Sequence, residues 1–382
     1  MADDNKDKDK DKDKGSTSAV MVNLRETMDA LFKITEGEVS ERIAIFTHPA
    51  PDPDAMACAL GMKWLLASKY GIEADFIKMG ESTRRQNTTM INVLGINMLD
   101  WEMVASGFDE TYGRAIVVDA LPDRLPPEAV KKLKVVVDHH DIQLTSAQKK
   151  KYDLVIIERV GSCCSLLYKL MRECQWLPGN PNNGSPAIAA VDDHIVATAM
   201  TAGIMIDTRG FMNIATHQLD LEAYTYFFGV ADTKLGRKID KYKEPRYLFE
   251  LRGELIKPEN YVIENTTYIG SAGYLPAGRT DALPQLADEF VRMEGVTTAI
   301  VFAIVGTDLI VKMRSEDDSL VVNNFLQKLF GENAGAKAGE GGGEIPLGLL
   351  AIESPSQDLR IKIYDTIKSV IMHLLSREVK NE

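Results

Sequence analysis

Short apolar runs alternate with amphipathic segments along the first half of the chain. Segments such as 55–69 and 84–94 place apolar residues at the spacing of one helix face. Strands that alternate with helices predict an α/β fold with a doubly wound, mainly parallel sheet. The runs that would form its strands are rich in β-branched residues and lie at 42–48, 72–79, 113–119, 135–138 and 152–158.

The remainder of the chain predicts a smaller α/β domain joined to the first by a connector. Residues 219–258 are helical in pattern and more highly charged, which is typical of a helical connector. Strand and helix patterns alternate again at 259–356, and residues 357–382 predict a C-terminal helix. The larger domain would then span 21–218. Residues 1–20 begin with an Asp-Lys repeat and have few core-forming side chains, so we predict a disordered charged tail.

Carboxylates and histidines gather where these elements end. The run of valines at 135–137 leads directly into Asp138-His139-His140, which taken alone could be a polar strand end beside a solvated loop. In a doubly wound sheet the strand ends meet at one edge and can face a single cleft. So many carboxylates together would repel one another unless cations lay among them. The full series is His48, Asp52, Asp54, Asp119, Asp138, His139, His140 and Asp207.

The donor types in this series favour a hard divalent metal ion. Carboxylate oxygens mixed with imidazole suit Mn²⁺, Mg²⁺ or a related cation, and the lack of cysteine in the series argues against structural zinc. Asp54 alone could instead cap the helix that follows it. The four cysteines show no zinc-type spacing, so we expect reduced thiols in a reducing compartment.

Charge and hydropathy limit the classes of partner. The formal net charge of the 382-residue chain is -12, which argues against a broad basic surface for long duplex DNA but permits a small phosphorylated substrate. No apolar run reaches membrane-spanning length, and the N-terminus lacks the apolar region of a signal peptide. We therefore expect a cytoplasmic protein without a membrane partner.

The ordered series of histidines and aspartates resembles the DHH phosphoesterase superfamily. That superfamily includes RecJ-type exonucleases, family II inorganic pyrophosphatases, nano-RNases with pAp phosphatase activity and cyclic-dinucleotide phosphodiesterases. The resemblance covers roughly residues 40–350 and depends most on the spacing of His48, Asp52 and Asp54 and on the Asp-His-His sequence after a strand. It implies a metal-dependent hydrolase.

The resemblance implies a role for each residue of the series. Two divalent cations, Mn²⁺ first with Mg²⁺ or Co²⁺ as alternatives, would activate water for in-line attack on a phosphoester. His140 would contact the substrate phosphate or the leaving oxygen, and Asp138 would orient His139, so His140 and Asp138 are the expected catalytic residues. One metal would be held by His48 and Asp52 and the other by Asp54, His139 and Asp207, with Asp119 bridging the two.

The second domain resembles the DHHA1 substrate-binding domain, whose usual marker is Gly-Gly-Gly-His. This chain has Gly341-Gly342-Gly343-Glu344, with Glu344 where histidine is expected. Gly342 and Gly343 would let backbone N–H groups approach a phosphate, whereas Glu344 is electrostatically unfavourable there. Arg314-Ser315 resembles a pair that holds substrate in relatives, although ordinary surface charge on a strand is the alternative.

Among the activities of the superfamily, we favour hydrolysis of short nucleotides: nano-RNA, linear dinucleotides such as pApA, or pAp. A DHH domain with one DHHA1 domain, and without further nucleic-acid-binding modules, is typical of such enzymes. The alternatives are a cyclic-dinucleotide phosphodiesterase, a single-strand exonuclease and, less favoured, a pyrophosphatase or a non-catalytic nucleotide-binding regulator. Whether the chain forms a homodimer is left open.

Overall fold

A computed structural model describes most of the chain in two compact units. The predicted tail at 1–20 lies outside the described residues. The first unit ends at Tyr242 and the second begins at Lys243. Among the described helices, none is long and apolar enough to cross a membrane. The described residues are 23–33, 41–82, 84–140, 144–188, 190–317, 319–337, 339–351 and 356–381.

The first unit is built on a parallel sheet with helices on both faces. Its strands are β1 (Arg42–Phe46), β2 (Ala74–Lys78), β3 (Leu99–Asp100), β4 (Tyr112–Val118), β5 (Leu133–Asp138) and β6 (Leu154–Ile157). Its helices are α1 (Leu24–Phe32), α2 (Pro53–Leu65), α3 (Arg85–Leu94), α4 (Trp101–Val104), α5 (Phe108–Thr111), α6 (Pro127–Lys132), α7 (Ser146–Lys149), α8 (Cys163–Glu173), α9 (Asp193–Asp207), α10 (Gln218–Val230) and α11 (Thr233–Asp240).

The order of the strands creates a cleft at the centre of this sheet. The order is β3-β2-β1-β4-β5-β6, and every neighbouring pair is parallel. The chain leaves β1 toward one side and β4 toward the other, so the loops after these strands diverge where ligands bind in open α/β sheets. Successive residues of β1 face opposite cores: Ile43 and Ile45 pack on one face, Ala44 and Phe46 on the other. The predicted doubly wound parallel sheet is confirmed.

A glycine lets α2 and α9 pack closely beside the cleft. A Cβ atom added at Gly203 of α9 would lie 2.9 Å from Cys164 Sγ and 3.1 Å from both Cα and Oδ1 of Asp54. Contacts under 3.4 Å with backbone atoms cannot be relieved by rotating a side chain. The position of Asp54 at the start of α2 therefore depends on the absence of a side chain at Gly203.

We expect Gly203→Ala to destabilise the protein by about 1–3 kcal/mol, because overpacking outweighs the gain in helix propensity. The measurement is the free energy of unfolding in urea. Gly229→Ala in α10 is the matched control, since a Cβ atom there meets nothing within 4 Å, and it should stabilise by about 0.5–1 kcal/mol. Equal effects of the two substitutions would contradict the close packing of α2 on α9.

The second unit contains a mixed sheet between two helical layers. The strands are β7 (Tyr261–Glu264), β8 (Thr267–Leu275), β9 (Thr298–Val305), β10 (Asp308–Ser315), β11 (Ala334–Lys337) and β12 (Glu340–Pro346). The helices are α12 (Arg246–Leu255), α13 (Ala282–Phe290), α14 (Val322–Phe330) and α15 (Gln357–Asn381). The strand order is β11-β12-β10-β9-β8-β7, in which β8 and β9 are parallel and the other neighbours antiparallel. One face of the sheet packs on α12 and α13, the other on α14 and α15.

The segment expected to be a connector, 219–258, is divided between the two units. Phe227 of α10 and Ile239 of α11 are buried in the core of the first unit. Leu248 and Leu255 of α12 are buried in the second. Each of these helices has an apolar face that its own unit covers. The high charge of the segment therefore did not indicate where the first unit ends and the second begins.

Candidate metal centre

The ends of the central strands and of two helices bring the predicted donor residues together. His48 follows β1 by two residues, and Asp119 follows β4 directly. Asp138 is the last residue of β5, so His139 and His140 lie in the loop after it. Asp207 ends α9, while Asp52 and Asp54 lie at the start of α2. The parallel arrangement places the three strand ends at one edge of the sheet.

The donor atoms form overlapping groups, and Asp119 belongs to two of them, one with His48 and Asp52 and one with His139 and His140. His48 Nε2 lies 3.6 Å from Asp119 Oδ2 and 3.8 Å from Asp52 Oδ1. His139 Nε2 lies 3.3 Å from Asp119 Oδ1 and 3.3 Å from Asp207 Oδ2. Donor atoms of Asp54, His139 and Asp207 lie within 4.8 Å of one another, as do those of His48, Asp52 and Asp119. The structure thus groups these residues as the sequence resemblance implies.

Backbone carbonyls orient both histidines for metal binding. His48 Nδ1 lies 2.9 Å from the carbonyl oxygen of Pro49, and His139 Nδ1 lies 3.0 Å from that of Val160. A carbonyl oxygen only accepts hydrogen bonds, so the proton of each neutral ring is on Nδ1. The Nε2 lone pairs therefore face the carboxylates, which is the arrangement a metal-binding histidine needs.

The charge in the cleft fits divalent cations. Asp119 is 2% exposed, and its Oδ1 accepts no hydrogen bond from any described residue. Burial, together with the nearby Asp54 and Asp52 carboxylates, raises the pKa of Asp119 to about 6 and that of Asp207 to about 8. Burial lowers the pKa of His48, but the nearby Asp52 and Asp119 carboxylates raise it to about 9. Two hard divalent cations would neutralise the negative charge of these carboxylates, and the imidazole nitrogens beside it would serve as further ligands.

The sequence of this sheet domain matches a known family. Residues 42–204 match the family model described as DHH family, N-terminal domain. The first unit therefore contains a DHH domain. An uncharacterized protein of Methanocaldococcus jannaschii is 28% identical to it over 343 residues, which are 89% of this chain and 66% of that protein. This chain therefore spans slightly less than two thirds of the length of that relative.

Two further similarities extend the comparison beyond the DHH domain. A probable manganese-dependent inorganic pyrophosphatase of Streptococcus pyogenes is 21% identical over 234 residues, covering 56% of this chain and 69% of that protein. The crystal structure of an exopolyphosphatase-related protein from Bacteroides fragilis superposes with a TM-score of 0.64 at 14% identity. It covers 94% of this chain and 99% of that one. At that identity the superposition shows a shared fold, not a shared substrate.

Within the DHH motif, Asp138 supports a different histidine ring from the one expected. Asp138 Oδ1 lies 2.7 Å from His140 Nδ1, while its contact with His139 is to the backbone N–H, at 2.9 Å. The ring of His139 is held instead by the carbonyl of Val160. Successive side chains along an extended chain point to opposite sides, so those of Asp138 and His140, two residues apart, lie on the same side. The expectation that Asp138 orients the His139 ring is therefore wrong.

Asp54 of the DHH domain binds the start of a distant helix. Asp52, not Asp54, caps α2, accepting N–H groups from Asp54 and Ala55 at 3.0 and 3.1 Å. The buried Asp54 carboxylate accepts the hydroxyl of Ser162 at 2.6 Å and the N–H groups of Cys163 and Cys164 at 2.7 and 3.2 Å. The N-terminus of α8 thus fixes a predicted metal ligand 108 residues earlier in the chain.

We expect Ser162→Ala to weaken Mn²⁺ binding by about 10–100-fold, because Asp54 loses the group that orients its carboxylate. The measurement is the Mn²⁺ dissociation constant by isothermal calorimetry. Thr145→Ala removes the N-cap of α7 elsewhere in the domain and should leave Mn²⁺ affinity unchanged, although each substitution costs about 1 kcal/mol of stability as a lost cap. Unaltered Mn²⁺ affinity in Ser162→Ala would contradict the positioning role.

The residues predicted to bind substrate in the second unit are engaged with neighbours there. Arg314 Nε lies 2.6 Å from Asp288 Oδ1, and Ser315 Oγ lies 2.8 Å from Thr298 Oγ1. Gly342 and Gly343 lie in β12, whose backbone pairs with β10 on one side and β11 on the other. The expectation that their N–H groups would be free to approach a phosphate is therefore not met.

The glycines of β12 have a packing role instead. A Cβ atom on Gly342 would lie 2.9 Å from Lys312 Cδ, and one on Gly343 would lie 3.0 Å from the Cβ of Ala334. Glu344 is exposed on the same strand. Since the glycine run forms a paired strand, its lack of side chains lets Lys312 and β11 lie close to it. The substrate roles of Arg314, Ser315, Gly342, Gly343 and Glu344 remain predictions.

Proposed function

We propose that this protein is a divalent-metal-dependent phosphoesterase that hydrolyses short nucleotides: nano-RNA, linear dinucleotides such as pApA, or pAp. The observation that carries the proposal is the position of Asp119 between two groups of metal-type donors. The match of residues 42–204 to the DHH family supports a hydrolase. The name of the Streptococcus pyogenes relative, a probable manganese-dependent enzyme, favours Mn²⁺ as the ion.

Each donor residue has a role in holding the cations. His48 and Asp52 would hold one ion, Asp54, His139 and Asp207 the other, and Asp119 both. When bound, two such ions acidify a nucleophilic water and withdraw charge from the phosphoryl oxygens. The carbonyls of Pro49 and Val160 keep the Nε2 atoms of the two histidines directed at the site, so the ligands are ordered before any ion binds.

His140 is the residue best placed to handle a proton. Its side chain is 48% exposed, so a substrate can reach it, and its Nδ1 donates to Asp138, which is itself buried. The carboxylate fixes the ring through Nδ1, which leaves Nε2 to give a proton to the departing oxygen. Asp138 and His140 thus form a pair in which only the histidine meets the substrate.

A turnover screen with Mn²⁺ tests the proposed substrate class. The substrates are pAp, pApA, cyclic di-AMP, a short RNA ladder and inorganic pyrophosphate. We expect hydrolysis of pAp, pApA or the shortest RNAs, and slow or no hydrolysis of pyrophosphate. Activity on pyrophosphate alone would overturn the nucleotide assignment, and preference for cyclic di-AMP would assign the cyclic-dinucleotide reaction instead. No turnover of any substrate, with Mn²⁺ bound, would indicate a regulatory protein.

A further inference from the structure

The loop that follows Asp207 carries apolar side chains that are almost fully exposed. In this loop, residues 208–217, Met212 is 87% exposed and Ile214 is 94% exposed. Scattered apolar side chains on a surface need no explanation, but two on one loop that begins at a metal-type ligand do. We call Met212 and Ile214, together with the aromatic residues Phe211, Tyr224 and Phe228, the apolar platform.

The backbone of this loop is held in an unusual conformation. Arg209, Gly210 and Phe211 have φ angles of 51°, 67° and 69°, so three consecutive residues lie in the left-handed region. Residues other than glycine rarely adopt the left-handed conformation, and such strain persists only where surrounding contacts enforce it. Here the Gly210 N–H donates to the carbonyl of Met205 at 2.8 Å, and the Phe211 N–H to Thr208 Oγ1 at 3.1 Å.

Asn213 ties the platform to the metal centre. Its Nδ2 donates to the carbonyl oxygen of Asp207 at 3.0 Å, and its Oδ1 accepts the N–H of Ala215 at 3.1 Å. Because Asn213 lies between Met212 and Ile214, both exposed side chains are fixed relative to Asp207. Strain and specific hydrogen bonds thus hold apolar groups outward beside a candidate metal ligand.

An aromatic stack supports the platform from α10. Phe211 packs edge-on against Tyr224 with ring centroids 5.2 Å apart, and Tyr224 stacks on Phe228 at 5.6 Å. Phe228 is half-exposed. Phe211 precedes Met212 in the loop, so these ring contacts connect the loop to the half-exposed Phe228 of α10.

The chemistry of the platform identifies the part of a substrate that would fit it. Inorganic pyrophosphate and polyphosphate carry charge along their whole length, and exposed methionine and isoleucine offer such anions no favourable contact. A nucleobase has a flat apolar face, and thioether, aliphatic and aromatic groups all pack well on such faces. We propose that the platform packs against a nucleobase of the substrate while an adjoining phosphate occupies the metal centre. The platform would thereby select nucleotides over inorganic phosphates.

This inference rests on the proposed function and sharpens it. Apolar groups read no hydrogen-bond pattern, so the platform should accept different bases with similar affinity. The recognised feature is the presence of a base, not its identity.

The test is the double substitution Met212→Ser with Ile214→Ser, assayed on pApA and on the same dinucleotide lacking its bases. For the unaltered protein we expect a KM about tenfold lower for pApA than for the abasic analogue. The double variant should hydrolyse both with the higher KM and with kcat and Mn²⁺ affinity unchanged. Met103→Ser is the matched control, since Met103 is 74% exposed on α4, and it should retain the preference for pApA.

Equal KM values for pApA in the unaltered and double-variant proteins would overturn the platform proposal and leave the proposed function intact. If the unaltered protein hydrolyses no organic phosphate, the proposed function fails instead. The platform can then still be tested by calorimetry, which measures the affinity for AMP and for ribose 5-phosphate in the presence of Mn²⁺. The unaltered protein should bind AMP about tenfold more tightly than ribose 5-phosphate, and the double variant should bind them equally. Equal affinities in the unaltered protein would contradict the proposal.

Discussion

Replacing Asp119 with asparagine should reduce metal-dependent hydrolysis by about a thousandfold and weaken Mn²⁺ binding by about a hundredfold or more. Among the described residues, Asp119 is the one whose two oxygens lie near the histidines of both predicted ligand groups, so its charge would act on both ions. Asparagine is the appropriate substitution because Asp119 has a φ angle of 54°, which asparagine tolerates better than alanine. The measurements are kcat with pApA and the Mn²⁺ dissociation constant by calorimetry.

The metal-free form of this variant should be no less stable than the metal-free original. Removing one buried carboxylate from a group of mutually repelling carboxylates relieves a cost of folding. Urea unfolding in the presence of a chelator measures this, and it separates lost metal binding from lost folding. Asp123→Asn, on the exposed turn after β4, is the control and should preserve both activity and Mn²⁺ affinity. Full activity in Asp119→Asn would show that the two-metal assignment is wrong.

Replacing His140 with alanine should lower kcat by about a hundredfold to a thousandfold while Mn²⁺ affinity changes little. His140 Nδ1 is 2.7 Å from Asp138 Oδ1 but 4.0 Å from Asp119 Oδ1, so its closest contact is with a residue that is not among the predicted metal ligands. The expected loss is therefore in proton transfer to the leaving oxygen rather than in metal binding. Steady-state kinetics and Mn²⁺ calorimetry on the same preparation give the two quantities.

Two further variants define what the His140 result means. Asp138→Asn should show a similar loss of kcat, because an amide no longer holds the His140 ring through Nδ1 as the carboxylate does. His373→Ala, on an exposed position of α15, should behave as the unaltered protein does. A large loss of Mn²⁺ affinity in His140→Ala would make His140 a metal ligand and contradict the proton-transfer role.

The positions of the candidate metal ligands were predictable because they follow from local patterns. Each ligand group stands directly after a run of buried β-branched residues or at the end of an apolar helix, and those runs are visible in the sequence. Parallel strands then place their carboxyl ends at one edge, so Asp119 and Asp138 had to lie near His48. General sheet geometry, without any knowledge of individual contacts, was sufficient for this step.

The supporting contacts were not predictable in the same way. Ser162 before α8 is visible as a helix-start residue, but nothing local shows that the helix end it caps would hold Asp54. Val160 holds His139 through a backbone carbonyl, a group that every residue has and that leaves no signal in the sequence. The sequence did not indicate that the Gly342 region is a paired strand, because glycine is compatible with both a phosphate-binding loop and a closely packed strand.

The sequence by itself determined which residue types follow which apolar runs in this protein. It therefore determined that a DHH domain with a cluster of metal-type donors would form. The tertiary structure alone decided which partner each donor has. It assigned Asp138 to His140, the start of α8 to Asp54, and Asn213 to the loop that exposes Met212 and Ile214. The physical reason is that burial patterns are properties of short segments, whereas a hydrogen bond depends on atoms that only the folded chain brings within about 3 Å of each other.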